Sequence, residues 1–133
     1  MDNVTELQYR VPYADTDRMG VVYYANYLIY FERTRTELLR RAGYPYRELE
    51  AQGIMLPVIE AHCQYKASAG YDDLLTLRGW VAEARGARVR IDCEVYRDNV
   101  LLTTGYTVHA CLGPNGRPMR LPEPLVKLAP LKP

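Results

Sequence analysis

Residues 13–27 read YADTDRMGVVYYANY. Asp15 and Asp17 stand two apart, Gly20 follows the second acid by three, and Tyr23, Tyr24 and Tyr27 lead into a segment of helical period. Acids just ahead of a helix most often cap it or close a turn. They can also do chemistry. A carboxylate among aromatic rings loses solvation, which makes it more basic and more nucleophilic. A helix N-terminus offers unpaired N–H groups and the positive end of the dipole, which can receive an oxyanion. Together these are equipment for reactions at a carbonyl.

Other chemistries find less in the chain. Its two histidines, His62 and His109, fall in strand-like segments away from the acid pair and read as interface or surface residues. Cys63, Cys93 and Cys111 are far apart, with no CxxC and no Cys/His cluster, so we expect reduced core thiols and no metal site. A net charge of +1 leaves no footprint for nucleic acid or an anionic membrane as the main partner. Arg85, Arg88 and Arg90 surround one turn; they read either as solvated surface charge or as forks for phosphate. The first ten residues lack the apolar core of a signal peptide, and no run approaches the roughly 18–20 apolar residues of a membrane span. We therefore expect a cytoplasmic protein. A length of 133 residues suits a single domain, 1–133, with one core.

The elements that must hold the acids can be read from period. Residues 6–14 suggest a short strand near a sheet edge, because of Pro12. From Asn26 to Ala42 the period is helical, with Tyr24, Tyr27, Leu28, Phe31, Leu38 and Ala42 toward one face. Arg33 with Glu37, and Glu37 with Arg41, are i,i+4 pairs, and Gly43 suits the helix end. Residues 46–53 suggest a second short helix. Then the period drops to two, predicting a half-buried strand over 59–67 and further strands near 75–81, 89–95 and 100–112. The short links between them suggest antiparallel hairpins. The Pro/Leu-rich tail is expected to pack loosely. One long helix against an antiparallel sheet is an α+β layer architecture. The 59–67 strand has few edge-blocking features, and we expect it to pair with its copy across a two-fold axis.

The stretch DTDRMGVVYYANYLIYFERTRTELLR, with AGYDDLLTL later, resembles the signature of the hotdog-fold acyl-CoA thioesterases of the 4-hydroxybenzoyl-CoA thioesterase-like family. The likeness spans nearly the whole chain in order and spacing. It implies a five-stranded antiparallel sheet wrapped around one central helix, in a homodimer or a homotetramer built as a dimer of dimers. It implies hydrolysis of an acyl-CoA to free acid and coenzyme A without a cofactor. Asp17 matches the family's catalytic carboxylate, which would attack the carbonyl or deprotonate a water. Gly20 matches the glycine at the sharp turn into the helix. Tyr24 matches the position whose backbone N–H binds the thioester carbonyl. Many relatives carry His where Tyr24 stands, so a histidine base is absent from this motif.

Around that centre, Tyr23, Tyr24 and Tyr27, with Met55 and Leu56, would line an apolar tunnel or form core. Asn26 would cap the helix or orient the site. Asp15 keeps the capping reading, Asp72 and Asp73 read as turn residues, and Glu32 with Arg35 as a structural pair. Arg85, Arg88 and Arg90 are the candidate contacts for the coenzyme A phosphates. The rival readings are a non-catalytic acyl-CoA-binding hotdog protein and a thioesterase acting on acyl carrier protein. A hotdog dehydratase would need a histidine beside the acid.

Overall fold

The structure is a computed structural model that describes residues 3–130. Its elements are β1 (Thr5–Arg10), α1 (Asn26–Arg41), α2 (Tyr46–Ala51), β2 (Val58–Tyr65), β3 (Leu74–Arg85), β4 (Arg88–Arg97), β5 (Val100–Ala110) and α3 (Glu123–Val126). Alternation builds the middle of the sheet. Val89, Ile91, Cys93 and Val95 of β4 are buried while the residues between them are half-exposed. Two-residue links, Gly86–Ala87 and Asp98–Asn99, fold β3, β4 and β5 into successive hairpins.

The sheet order is β1-β3-β4-β5-β2, antiparallel throughout. This corrects one expectation: β2 and β3 do not form a hairpin. Residues 66–73 instead carry the chain across the sheet, from the β2 edge to the β3 position. Three strand spacings are about 14 Å, which eight extended residues span easily. Short links read from sequence cannot tell a hairpin from such a crossing.

Helix α1 lies on the inner face of this sheet and buries Tyr27, Tyr30, Phe31, Thr34, Arg35, Leu38 and Leu39. The buried stripe is wider than the sequence suggested. Tyr24 precedes the helix, and Leu28 is exposed on its outer side. Two glycines set the closeness of the layers. A Cβ on Gly79 would stand 2.6 Å from Thr34 Cγ2, and one on Gly105 2.6 Å from Phe31 Cε2. Burying a side chain such as Phe31 contributes about 1.5–3 kcal/mol. The helix closes with the Gly43 N–H on Arg40 C=O and the Tyr44 N–H on Leu39 C=O, a Schellman pattern. Glu37 pairs with Arg41 as expected and with Arg40 at 2.6 Å, whereas Arg33 stacks on Tyr9 instead.

Three further expectations change. β1 is a sheet edge as expected, but it ends at Arg10, so Pro12 lies beyond it. The tail as far as residue 130 packs firmly, because Leu121 and Leu125 are buried in the core and α3 sits near β3. The strand over 58–65 is not half-buried: seven of its eight residues are exposed, since it is a sheet edge reaching past the cover of α1. One helix on one five-stranded antiparallel sheet, in this strand order, is the hotdog arrangement.

Candidate active site

The DTD stretch folds back on residues 21–23 as a narrow antiparallel ribbon. Asp17 N–H donates to Val21 C=O at 2.9 Å, Thr16 bridges Val22, and Tyr23 N–H donates to Asp15 C=O at 2.9 Å. Gly20 makes the reversal: its φ of +80° lies in the left-handed region, and its N–H returns to Asp17 C=O. The two carboxylates then meet different surroundings. Asp15 Oδ2 accepts the hydroxyls of Tyr9, at 2.7 Å, and Tyr30, at 2.8 Å. Asp17 Oδ1 accepts the Met19 N–H at 2.9 Å, and its other oxygen has no donor among the described residues. Asp15 is therefore no helix cap. The N-cap is Ala25, which makes no side-chain cap bond.

Tyr24 stands where this ribbon enters α1. Its carbonyl accepts the Tyr65 hydroxyl at 3.0 Å and the Tyr27 N–H at 3.3 Å. Its own N–H meets no acceptor among the described residues, nor does that of Ala25, while Asn26 N–H is taken by Tyr23 C=O. The side chain of Asn26 orients the turn, with Nδ2 donating to Asp15 C=O at 2.9 Å. Tyr23 and Tyr24 are exposed, their rings 4.8 Å apart. The neighbouring Tyr24 side chain and, more weakly, the charge of Asp17 hold the Tyr23 hydroxyl above its ordinary pKa. A half-buried carboxylate with one oxygen lacking a donor and, seven residues on, an N–H lacking an acceptor among the described residues thus lie on the short ribbon that leads into a 16-residue helix.

Other expected residues fall elsewhere. Tyr27 is buried under Tyr65 and Tyr30, so it supports the site from the core rather than facing a substrate. Met55 pairs with Leu112 beyond the Val58 end of β2, whereas Tyr65 and Tyr24 lie at its other end, about 25 Å away within one chain. Arg85, Arg88 and Arg90 line a groove of about 300 Å³ with Glu60 and Tyr106. β3 leads from the Asp73 turn to this groove, about 35 Å along the strand. Arg90 pairs with Asp92 at 2.7 Å and stacks on Tyr106, and Arg88 lies 3.9 Å from Glu60. Arg85 has no ion-pair partner among the described residues. Glu32 and Arg35 are not paired: Glu32 is exposed, and Arg35 is buried with its Nε lacking an acceptor among the described residues. Asp73 is the expected turn residue, accepting the Gly70 N–H and Arg97, which lower its pKa in that order.

The family described as "Thioesterase-like superfamily" matches residues 11–129. The chain belongs to that superfamily. An acyl-CoA thioesterase YbgC from Haemophilus influenzae is 36% identical over 113 residues, 84% of this chain and 83% of that protein. The crystal structure of a hypothetical protein from Thermus thermophilus superposes with a TM-score of 0.88 at 35% identity, covering 93% of this chain and 95% of the other. A 4-hydroxybenzoyl-CoA thioesterase mutant, complexed with 4-hydroxybenzoyl-CoA, shares the fold with a TM-score of 0.85 at 20% identity, over 96% and 99% of the two chains. The chain is thus a hotdog-fold thioesterase.

Three residues of this thioesterase escaped the sequence reading. Tyr9 and Tyr30 reach Asp15 from β1 and α1. Burial and then the bond to Asp15 push both hydroxyls above the ordinary tyrosine pKa. Tyr65 comes from the far edge of the sheet to hold Tyr24. Tyr65 falls in the strand expected over 59–67, but nothing in its spacing pointed to the helix head. His109, read as a surface or interface residue, is wholly buried at the start of the β2 edge. Its Nδ1–H donates to Leu56 C=O at 2.9 Å, which leaves Nε2 to accept the Thr107 hydroxyl at 2.8 Å. His62 is on the surface, stacked on Tyr106.

Proposed function

We propose that this thioesterase hydrolyses acyl-CoA to a free acid and coenzyme A. The observations that carry this are an Asp17 carboxylate oxygen with no donor among the described residues and, seven residues on at the head of α1, a Tyr24 N–H with no acceptor among them. The thioester carbonyl oxygen would lie on the Tyr24 N–H, whose hydrogen bond strengthens as the oxygen becomes an oxyanion. The helix dipole favours the same charge. Asp17 attacks the carbonyl carbon, or takes a proton from a water that attacks it. In either route the C–S bond breaks and the thiolate leaves with coenzyme A. In the first route a mixed anhydride forms on Asp17 and water then cleaves it.

The working unit is a dimer or a dimer of dimers. What supports this is the bare β2 edge, with Val58, Ile59 and Tyr65 exposed and no strand beyond it among the described residues. Antiparallel pairing about a two-fold axis at mid-strand puts the Tyr65 end of each β2 beside the Val58 end of its copy. Met55 of the partner subunit would then approach Tyr23 and Tyr24. The groove holding Arg85, Arg88 and Arg90 of the partner subunit would approach the same site, where it can receive the coenzyme A phosphates. That arrangement accounts for site features that lie at opposite ends of one chain.

Release of free thiol from acetyl-, hexanoyl-, palmitoyl- and aryl-CoA by the purified protein tests the activity. Release from at least one of them supports it. No release from any, with hydrolysis of an acyl carrier protein thioester instead, would replace the substrate class. Catalysis by a carboxylate and a backbone N–H requires no metal, and EDTA should leave the rate unchanged. A large loss that zinc or magnesium restores would remove this mechanism.

A further inference from the structure

We propose that Asp15 is the positioning residue of this site, a clamp that keeps the Tyr24 N–H aimed at the thioester carbonyl. The proposal rests on the hydrolase reading above. Asp15 accepts four hydrogen bonds. Its Oδ2 takes the hydroxyl of Tyr9, from the edge strand β1, and of Tyr30, from the buried face of α1. Its backbone C=O takes the Tyr23 N–H and the Asn26 side-chain N–H, both at 2.9 Å. The carboxylate therefore joins strand to helix, and the carbonyl of the same residue fixes both flanks of the Tyr24–Ala25 step.

The anionic form suits this work. Hydroxyl donors to an ionised oxygen make shorter and stronger bonds than neutral pairs do. Two tyrosines also fix the direction of that oxygen, because their rings are held 4.9 Å apart and the Tyr30 ring is buried. Arg33 lies over the Tyr9 ring at 4.7 Å and steadies the outer donor. The device has a consequence at the helix head. With the Tyr23 and Asn26 N–H groups already bonded, the unclaimed donors among the described residues are those of Tyr24 and Ala25. Asp15 thus acts through Tyr24 and touches no reacting atom, whereas Asp17, two residues on, keeps a free oxygen.

The test compares Asp15→Ala, Asp15→Asn and the double variant Tyr9→Phe/Tyr30→Phe, which removes two hydroxyls and little volume. Each is assayed on the acyl-CoA that the wild type hydrolyses fastest, and for binding of a non-hydrolysable acyl-CoA thioether. Amide hydrogen exchange at Tyr23 and Asn26 is followed in parallel. For Asp15→Ala and the double variant we expect kcat to fall about ten- to a hundredfold, since a misplaced donor costs transition-state binding. Thioether affinity should stay within about threefold, because the lost interaction tightens in the transition state. Asp15→Asn, which keeps an acceptor oxygen, should recover most of the rate. The Tyr23 and Asn26 amides should exchange faster in the two damaged variants. A kcat within twofold of wild type, a parallel loss of thioether binding, or unchanged exchange would each overturn the clamp. A wild type inactive on every acyl-CoA would overturn the hydrolase reading instead, and the exchange data would still decide for or against the clamp.

Discussion

The two edges of the sheet are finished differently. At the β1 edge the chain supplies its own cover. Tyr9 is bonded to Asp15, Arg33 lies on its ring, and Arg41 of α1 reaches Glu6 C=O at 3.1 Å. At the β2 edge nearly every residue is exposed, with apolar side chains among them. The candidate site spans both. Asp15 ties its acidic ribbon to the closed edge, and Tyr65 ties the Tyr24 carbonyl to the open one. In the proposed dimer one chain would therefore supply both the Asp17 carboxylate and the Tyr24 N–H, and the wall facing them would come from a second copy.

Among changes at the two edges, closing the open one to that copy should have the largest effect. Ile59→Lys with Ala61→Lys adds two charges to an exposed strand, so the chain should still fold while β2 no longer pairs with its twin. We expect a monomer in sedimentation and a loss of turnover of at least about a hundredfold, the scale on which misplaced groups lower rate. A fully active monomer would show that the site is complete in one chain.

Acid should loosen the open edge first. His109 holds Leu56 just before β2, and burial depresses its pKa from 6.5 to about 4. Because the folded value lies below the unfolded one, the unfolded chain binds the extra proton. Stability is therefore full above pH 6.5 and falls as pH drops from 6.5 through 4. The loss reaches about 3 kcal/mol. Urea titrations at pH 7 and pH 4.5 should show it, with early exchange of β2 amides. A flat profile, or loss confined to β1, would contradict the assignment.

Smaller effects belong to the turn and to the tyrosine that link the edges. At Gly20 a Cβ would meet no neighbour, so Gly20→Ala costs backbone strain alone, about 1–2 kcal/mol in urea. Tyr65→Phe removes one hydroxyl from the Tyr24 carbonyl, worth about 1 kcal/mol, and should lower kcat less than tenfold. Equal losses from Tyr65→Phe and from the β2 charges would blur the distinction between the edges.

What could be read in advance was local. Alternation located β3, β4 and β5, the glycine after the helix marked its Schellman end, and the DTD signature marked the site. Pairings between distant residues stayed hidden. Tyr9 and Tyr30 meet Asp15 from 6 and 15 residues away, on two different elements, and neither period carries that information. The alternation of β2 was real, but a period of two says that the faces differ, not that α1 extends far enough to cover one. The link over 66–73 has the length of a turn and the job of a crossing. The three arginines were found as a group, yet their distance from Asp17 depends on which strands lie between.

The most direct test is the turnover of Asp17→Asn beside that of Asp15→Asn on one acyl-CoA, with thioether binding as the control. The amide keeps the shape of Asp17 and removes both its nucleophilic charge and its ability to accept a proton. We expect kcat for Asp17→Asn to fall about a hundredfold to ten-thousandfold, the worth of a positioned acid–base group. Thioether affinity should hardly change, and Asp15→Asn should lose far less rate. Near-normal turnover by Asp17→Asn, with Asp15→Asn inactive, would show that the other carboxylate does the chemistry.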